Sequence, residues 1–335
     1  MDMTQLFKAL ADDSRLRIML LLQVMELSVG ELAAVLDQSQ PRVSRHVRIL
    51  AEAGLAERHK EGSWVFLRPA LPRMDHPAAS LLDRFLRQDD AVGSALAAQH
   101  AADRTQLDAI RAIREQRAAD FFAQHAGQWD AIRSLHLPEA DVESALADLI
   151  GDRPLGRLLD IGTGTGRMIE LFAASADHST ALDRSPEMLR LARAKLQHHA
   201  AGQVDLVQAD FYSLPLADQG FDTILLHQVL HYAQNPQGVL DEAGRVAAPG
   251  ARIAIVDFAS HALEELRERD AHARLGFADD QIAAMFESAG FDLTRTRGLS
   301  GGTLTVKIWL GRRHGDASPT LLHPQEQETP RKAAA

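Results

Sequence analysis

The 335-residue chain contains no cysteine. That absence excludes disulfides, thiolate metal sites and a cysteine nucleophile together. Aromatic residues are scarce, at 5% of the chain. No apolar run approaches the ~20 residues of a membrane span, and the longest near the start, residues 18–22, is about a quarter of that. The start also lacks the basic, apolar, then small-residue order of a secretory signal, so the expected compartment is the cytoplasm and no membrane partner is expected. A formal net charge of −10 excludes a protein that coats nucleic acid over its whole surface. It does not exclude a local basic patch: residues 40–68 hold six Lys/Arg against three Asp/Glu, or +3 in 29 residues, with −13 elsewhere.

What is present is an ordinary globular composition, 46% hydrophobic and 24% charged, in a chain long enough for two domains. Four regions separate. Residues 1–70 read as short amphipathic helices ending in a β-rich stretch. Residues 71–152 are helical in pattern, with Leu81, Leu82, Phe85, Leu107, Ile110 and Ile113 at helical spacing. This region is either a connector or a dimerisation helix, and the two are compatible. In residues 153–311 apolar strands alternate with helices, and the expected strands are 157–161, 180–183, 204–208, 223–227, 252–257 and 303–310. Residues 312–335 mix Pro, Gln, Glu and Ala without periodicity, which reads as a disordered tail.

Leu158-Leu159-Asp160-Ile161 forms a buried strand that runs straight into Gly162-Thr163-Gly164-Thr165-Gly166. Glycines suit a turn where a ligand lies against the backbone and a Cβ would collide. The next strand ends in Asp183, a carboxylate placed to accept two hydrogen bonds from ribose hydroxyls. The third ends in Asp210-Phe211, an acid and a flat ring suited to an adenine amino group and face. A dinucleotide fold would also place an acid after its second strand. Three details favour a methyl donor: Arg167 occupies the dinucleotide pattern's third glycine position, an acid ends the third strand, and residues 290–310 read as a closing antiparallel pair.

These segments resemble class I S-adenosylmethionine-dependent methyltransferases. Leu159 to Gly166 is similar to their first motif, Ala181-Leu182-Asp183-Arg184-Ser185-Pro186-Glu187-Met188 to their second, and Asp210-Phe211-Tyr212-Ser213-Leu214-Pro215-Leu216 to their third. Phe221-Asp222-Thr223-Ile224 resembles the fourth strand, and Pro249-Gly250 sits at the turn before the fifth. The resemblance implies Gly162, Gly164 and Gly166 against the methionine moiety, Asp183 on the ribose, Met188 near the adenine and Asp210 on its amino group. Asp160, Arg184, Phe211 and His227 complete the expected donor site, for S-adenosylmethionine or S-adenosylhomocysteine.

The acceptor side is less legible. His227-Gln228-Val229-Leu230-His231 has the spacing of a zinc protease helix, but Gln228 stands where that chemistry needs a glutamate base, so no metal is expected. His227 is either a packed residue at a turn or, since that turn borders the transferred methyl in the family, an acceptor contact. His261, His272 and Arg274 are either a solvated face or part of an acceptor lid. The catalytic candidates are His227 and His261.

In the N-terminal region, helices over 3–11 and 14–25 precede Ser28-Val29-Gly30-Glu31-Leu32, a break at residues 37–41 and a helix over 42–53. Val43, Val47 and Leu50 share one face of that helix, while Arg45 and Arg48 point away, flanked by Arg42 and Ser44. A short helix buried on one side and cationic on the other suits a major-groove reader. Residues 55–67 read as a two-stranded wing with a basic tip carrying Arg58 and Lys60. Phe7-Lys8-Ala9-Leu10-Ala11-Asp12-Asp13-Ser14-Arg15-Leu16-Arg17-Ile18 and Ser39-Gln40-Pro41-Arg42-Val43-Ser44-Arg45-His46 resemble the winged helix-turn-helix of the ArsR family of bacterial regulators. The implied DNA contacts are Gln40, Arg42, Ser44, Arg45, Arg48, Arg58 and Lys60, on double-stranded operator DNA bound by a homodimer. Where many relatives sense soft metals through cysteines, this chain holds Ser28 and Gly30, so metal sensing is set aside. The whole chain resembles proteobacterial ArsR-type regulators fused to methyltransferase-like domains.

The expected fold is therefore α/β: a mostly α winged helix-turn-helix, a helical linker, and a Rossmann-like class I methyltransferase domain with a seven-stranded sheet. Three readings compete. The chain is a repressor that senses the donor or its product, a working methyltransferase on a small-molecule acceptor with an accessory winged module, or a methyltransferase whose winged module docks protein. The basic recognition face disfavours the third.

Overall fold

A computed structural model describes residues 3–61, 64–70, 94–129, 138–200, 202–300 and 303–315. Residues 71–93, with Leu81, Leu82 and Phe85, and the expected disordered tail beyond 315 lie outside the described residues.

The N-terminal module contains α1 (Met3–Leu10), α2 (Asp13–Leu22), β1 (Leu27–Ser28), α3 (Val29–Leu36), α4 (Gln40–Glu52), β2 (Ala56–Glu61) and β3 (Trp64–Pro69). Its three strands are antiparallel in the order β1-β3-β2. Local chemistry starts the helices. Asp12 caps α2 by accepting from Arg15 N at 3.1 Å. Ser28 and Glu31 form a reciprocal capping box on α3, with Ser28 N donating to Glu31 at 2.9 Å. Ser28 thus has a structural task of its own. Ile18, Leu21, Leu32, Val43, Val47 and Leu50 meet in one fully buried core.

The linker is α5 (Ser94–His125), a continuous helix of 32 residues and about 48 Å at 1.5 Å per residue. Leu107 is buried in the winged module's core and Ile110 packs against it, whereas Ile113, expected on the same stripe, is 58% exposed. Arg17 of α2 forms a bidentate pair with buried Asp103 of α5, both bonds 2.6 Å long. A single turn over Ala126–Gln128 and then Trp129 follow α5.

The C-terminal domain begins with α6 (Glu139–Ile150). It continues through β4 (Arg157–Ile161), α7 (Arg167–Phe172), β5 (His178–Asp183), α8 (Pro186–Leu196), β6 (Val204–Gln208) and β7 (Phe221–His227). Then come α9 (Pro236–Val246), β8 (Ala247–Phe258), α10 (Glu265–Arg269), α11 (Asp279–Ser288), β9 (Phe291–Ser300) and β10 (Thr305–Arg313). The seven strands lie in the order β6-β5-β4-β7-β8-β10-β9, parallel except for β10. Apolar side chains fill both faces of this sheet, the pattern expected of a sheet covered by helices on each side. The order reverses between β4 and β7, which opens a crevice beyond their carboxyl ends, the place where open α/β sheets bind ligands. β8 starts earlier than the sequence suggests, because Ala247 already pairs with Phe221; the register then shifts over a stretch that holds Gly250 at φ 75°, and pairing resumes at Arg252. Among the described residues no helix is long and apolar enough to cross a membrane.

Candidate functional site

At that crevice lies a cavity of about 210 Å³. The turn after β4 forms its floor. Gly162 has φ 73°, and a Cβ there would come within 2.3 Å of the Val229 side chain. At Gly166 a Cβ would press on Leu196 and Ala192 of α8 at 3.0 and 3.2 Å. These two glycines therefore answer to the protein's own packing, and Gly166 lies outside the cavity lining.

Asp183 ends β5 at the cavity wall, where its two carboxylate oxygens accept from Gly164 N and Ser185 N, each at 2.8 Å. Burial pushes this carboxyl above its ordinary value, against the lowering effect of the Ser185, Gly164 and Arg184 backbone N–H groups. Ser185 caps α8 by accepting from Met188 N at 3.2 Å, which fixes buried Met188 against the cavity. Of the residues the sequence reading assigns to the donor, Asp160, Gly162, Gly164, Asp183, Arg184, Met188, Phe211 and His227 line the space. Asp210 does not. Its carboxylate accepts from Tyr212 N at 2.9 Å and faces Arg184 at 3.6 Å. Arg167, at the position that separated this turn from a dinucleotide fingerprint, is held protonated by Glu143 and Glu170, with Glu143 bidentate at 2.6 and 2.8 Å. No phosphate role is left for it.

The residues suit an adenosyl ligand. An apolar slot of Leu182, Met188, Ala209 and Phe211 adjoins a carboxylate with lone pairs to share.

Residues 227–231 do not form a helix. His227 ends β7, Gln228 sits at φ 51°, and Leu230–Tyr232 make a single tight turn. His231 turns inward: its Nδ1 lies 2.8 Å from Asp257 Oδ1, and its backbone N donates to Asp257 Oδ2 at 3.1 Å. That anchor presents Tyr232 to the cavity. Burial, reinforced by Asp270 and Asp257, keeps the Tyr232 phenol well above its ordinary value and so neutral. His261 is not in the lining, and its Nδ1 accepts from Leu263 N at 3.2 Å. His272 is buried beside His231, with ring centroids 4.2 Å apart.

Arg274 is not part of a lid. It is 2% exposed and points at the winged module, pairing with Glu26 at 2.8 Å while donating to Gln234 O at 2.7 Å. Its guanidinium also lies 4.8 Å from the Phe66 ring of β3, and Asn235 Nδ2 donates to Val24 O at 3.2 Å. Gln234 itself lines the cavity. Sequence reasoning missed this contact because nothing in a 248-residue separation marks two ions as partners. It also missed the far wall, where Ala118, Ala119 and Phe122 of α5 and then Trp129 complete the cavity.

On the winged module, Val43, Val47 and Leu50 of α4 are fully buried, while Gln40, Arg42, Arg45 and Arg48 are exposed and Ser44 is half-buried. Arg58 on β2 is exposed; the Lys60 side chain lies outside the described residues.

The comparisons with known proteins divide at the same place. A model for bacterial regulatory proteins of the arsR family matches residues 12–58, and a methyltransferase-domain model matches residues 159–255. The arsenical resistance operon repressor of Escherichia coli is 48% identical over 84 residues, 25% of this chain and 71% of that protein. The ubiquinone/menaquinone biosynthesis C-methyltransferase of a Ruegeria species is 29% identical over 189 residues, 48% of this chain and 76% of that protein. A SAM-dependent methyltransferase structure from Aquifex aeolicus aligns at 21% identity with a TM-score of 0.42, covering 50% of this chain and 88% of that one. The exposed cationic helix on a buried apolar face, the reversal of strand order, the two family models and the two sequence relatives lead to one statement: the chain belongs to the arsR family of bacterial regulatory proteins and carries a methyltransferase domain joined to its winged module.

Proposed function

We propose that this chain is a transcriptional repressor whose operator affinity responds to S-adenosylmethionine or its demethylated product. The division of labour is a DNA-binding module over 1–70, a linker over 71–152 and a donor-binding domain over 153–311. The observation that carries the reading is the course of α5. The helix enters the winged module's core at Leu107 and lines the donor cavity at Ala118, Ala119 and Phe122. A rigid element shared by two sites gives a ligand a route by which to bias DNA binding.

In this reading Gln40, Arg42, Ser44, Arg45, Arg48, Arg58 and Lys60 contact operator DNA. Phe7, 60% exposed on α1, and Ile113 on α5 offer apolar surface to a second copy of the chain. At the other site Asp183 holds the ribose hydroxyls, and Met188 and Phe211 hold the adenine. When bound, S-adenosylmethionine supplies an electrophilic methyl group, and transfer to a small molecule needs positioning more than acid–base chemistry. His227 at the end of β7 is the acceptor contact in that case. Repression rests on the likeness to a protein named as an operon repressor.

Titration of operator DNA with full-length protein, without ligand and with saturating donor or product, tests this. Differential contacts to a methyl and a charge give about 5- to 150-fold separation between curves. Three superimposable curves would reduce the fusion to an enzyme that travels with a DNA-binding module.

A further inference from the structure

Three aromatic rings converge at one end of the donor cavity. Phe122 and Trp129 lie 5.2 Å apart between centroids, Phe122 and Tyr232 4.8 Å, and Trp129 and Tyr232 6.2 Å, all inclined between 49° and 70°. Each lines the cavity. Trp129 reaches the glycine turn itself: a Cβ on Gly164 would lie 3.3 Å from the indole nitrogen. Gly164 is also the residue whose N–H donates to Asp183. The ring cluster and the ribose-holding carboxylate therefore flank one residue of the same turn.

We propose, resting on the donor-binding reading above, that Phe122, Trp129 and Tyr232 form a cation subsite for the sulfonium of S-adenosylmethionine, by which the chain prefers the charged donor to its neutral product. Ring faces carry negative potential, and a desolvated cation among several rings is attracted electrostatically, as in the cages that bind quaternary ammonium groups. A neutral thioether gains only dispersion there. The rest of the wall agrees in sign: Asp160, Asp183 and Glu187 face the cavity against the lone guanidinium of Arg184 among the described lining residues. A ligand gripped by Asp183 reaches the rings through its own chain, since both adjoin Gly164, which favours the donor's sulfonium over a cation on a second molecule. Phe122 and Trp129 belong to the linker and Tyr232 to the turn after β7, so a cation held among them ties linker to sheet. That tie supplies a difference between donor and product for the operator to feel.

The test is calorimetric titration of full-length protein with S-adenosylmethionine and S-adenosylhomocysteine, in wild type, Trp129→Leu and Trp129→Phe. The expected wild-type preference for the sulfonium is about tenfold, the scale of a desolvated cation–ring contact. Trp129→Leu, which leaves every cavity carboxylate in place, should cost the donor about tenfold and change product affinity less than twofold. Trp129→Phe should recover most of the loss. Equal losses for both ligands would make Trp129 a packing wall and overturn the subsite while leaving donor binding intact. Unchanged affinities in Trp129→Leu would likewise overturn it. Failure of wild type to bind either ligand would remove the donor-site reading and the subsite with it. Should Trp129→Leu fail to fold by circular dichroism, Phe122→Leu at a half-buried position carries the same comparison.

Discussion

Asp183 accepts two backbone hydrogen bonds while keeping lone pairs toward the cavity, and burial raises its pKa. Two consequences follow for donor affinity. Asp183→Ala should weaken binding by about 2–3 kcal/mol, the worth of charge-assisted bonds at a partly buried site. Binding to the ionised carboxylate should also weaken as pH falls toward the raised pKa, at a higher pH than an ordinary carboxylate would give. Calorimetry at pH 7.5 and in steps down to pH 5 reads both, and a pH-independent wild-type affinity would remove the ionised carboxylate from the account. Asp183 was legible because it ends an apolar strand at a fixed remove from a glycine turn. Asp210 was placed by the same logic, yet its carboxylate turns back onto Tyr212 N and outward to Arg184. Strand ends locate a residue; they do not fix the rotamer.

At the scale of elements, α4 is the one whose periodicity separates two chemistries most clearly. Its apolar stripe is sealed, and Arg42, Arg45 and Arg48 remain in solvent. Arg45→Ala with Arg48→Ala should abolish operator binding and leave donor affinity within about twofold. Wild-type operator affinity should fall roughly 10³-fold between 50 and 200 mM salt if a dimer makes about six phosphate contacts. A flat salt response in electrophoretic titrations would take the module off DNA. Helix α5 was legible as a helix from the spacing of Leu107 and Ile110, with connector and dimerisation roles both open. Its part in the cavity wall was not, because Ala118, Ala119 and Phe122 look like any helix surface until the second domain arrives. Six of the seven strands were read individually, and β9 only within the closing antiparallel pair; β4, β5, β7 and β8 were plainest, since buried parallel strands show as short apolar runs.

For the whole molecule the decisive contact is between the halves. Removing one partner of a buried ion pair leaves an uncompensated charge and costs about 3–5 kcal/mol. Glu26→Ala should therefore strand Arg274, and scanning calorimetry should show the single cooperative transition expected of the wild type split into two. It should also shrink the ligand-dependent shift in operator affinity while leaving intrinsic donor affinity nearly unchanged. An unsplit transition together with an undiminished shift would show that α5 alone joins the domains.

That same pair bears on ionic strength. Mobile ions screen exposed charges beyond about 8 Å at physiological salt, and screen buried pairs far less. Arg274 and Asp103 are both almost fully enclosed, so the ionic ties of the winged module to the C-terminal domain and to α5 scarcely feel the bathing electrolyte. The arginines of α4 feel it fully. For the proposed regulator, changing the salt should therefore move the protein on and off DNA over orders of magnitude while the factor by which the donor shifts that balance stays fixed. In that reading occupancy is tuned by the medium, and the ratio is kept by the fold.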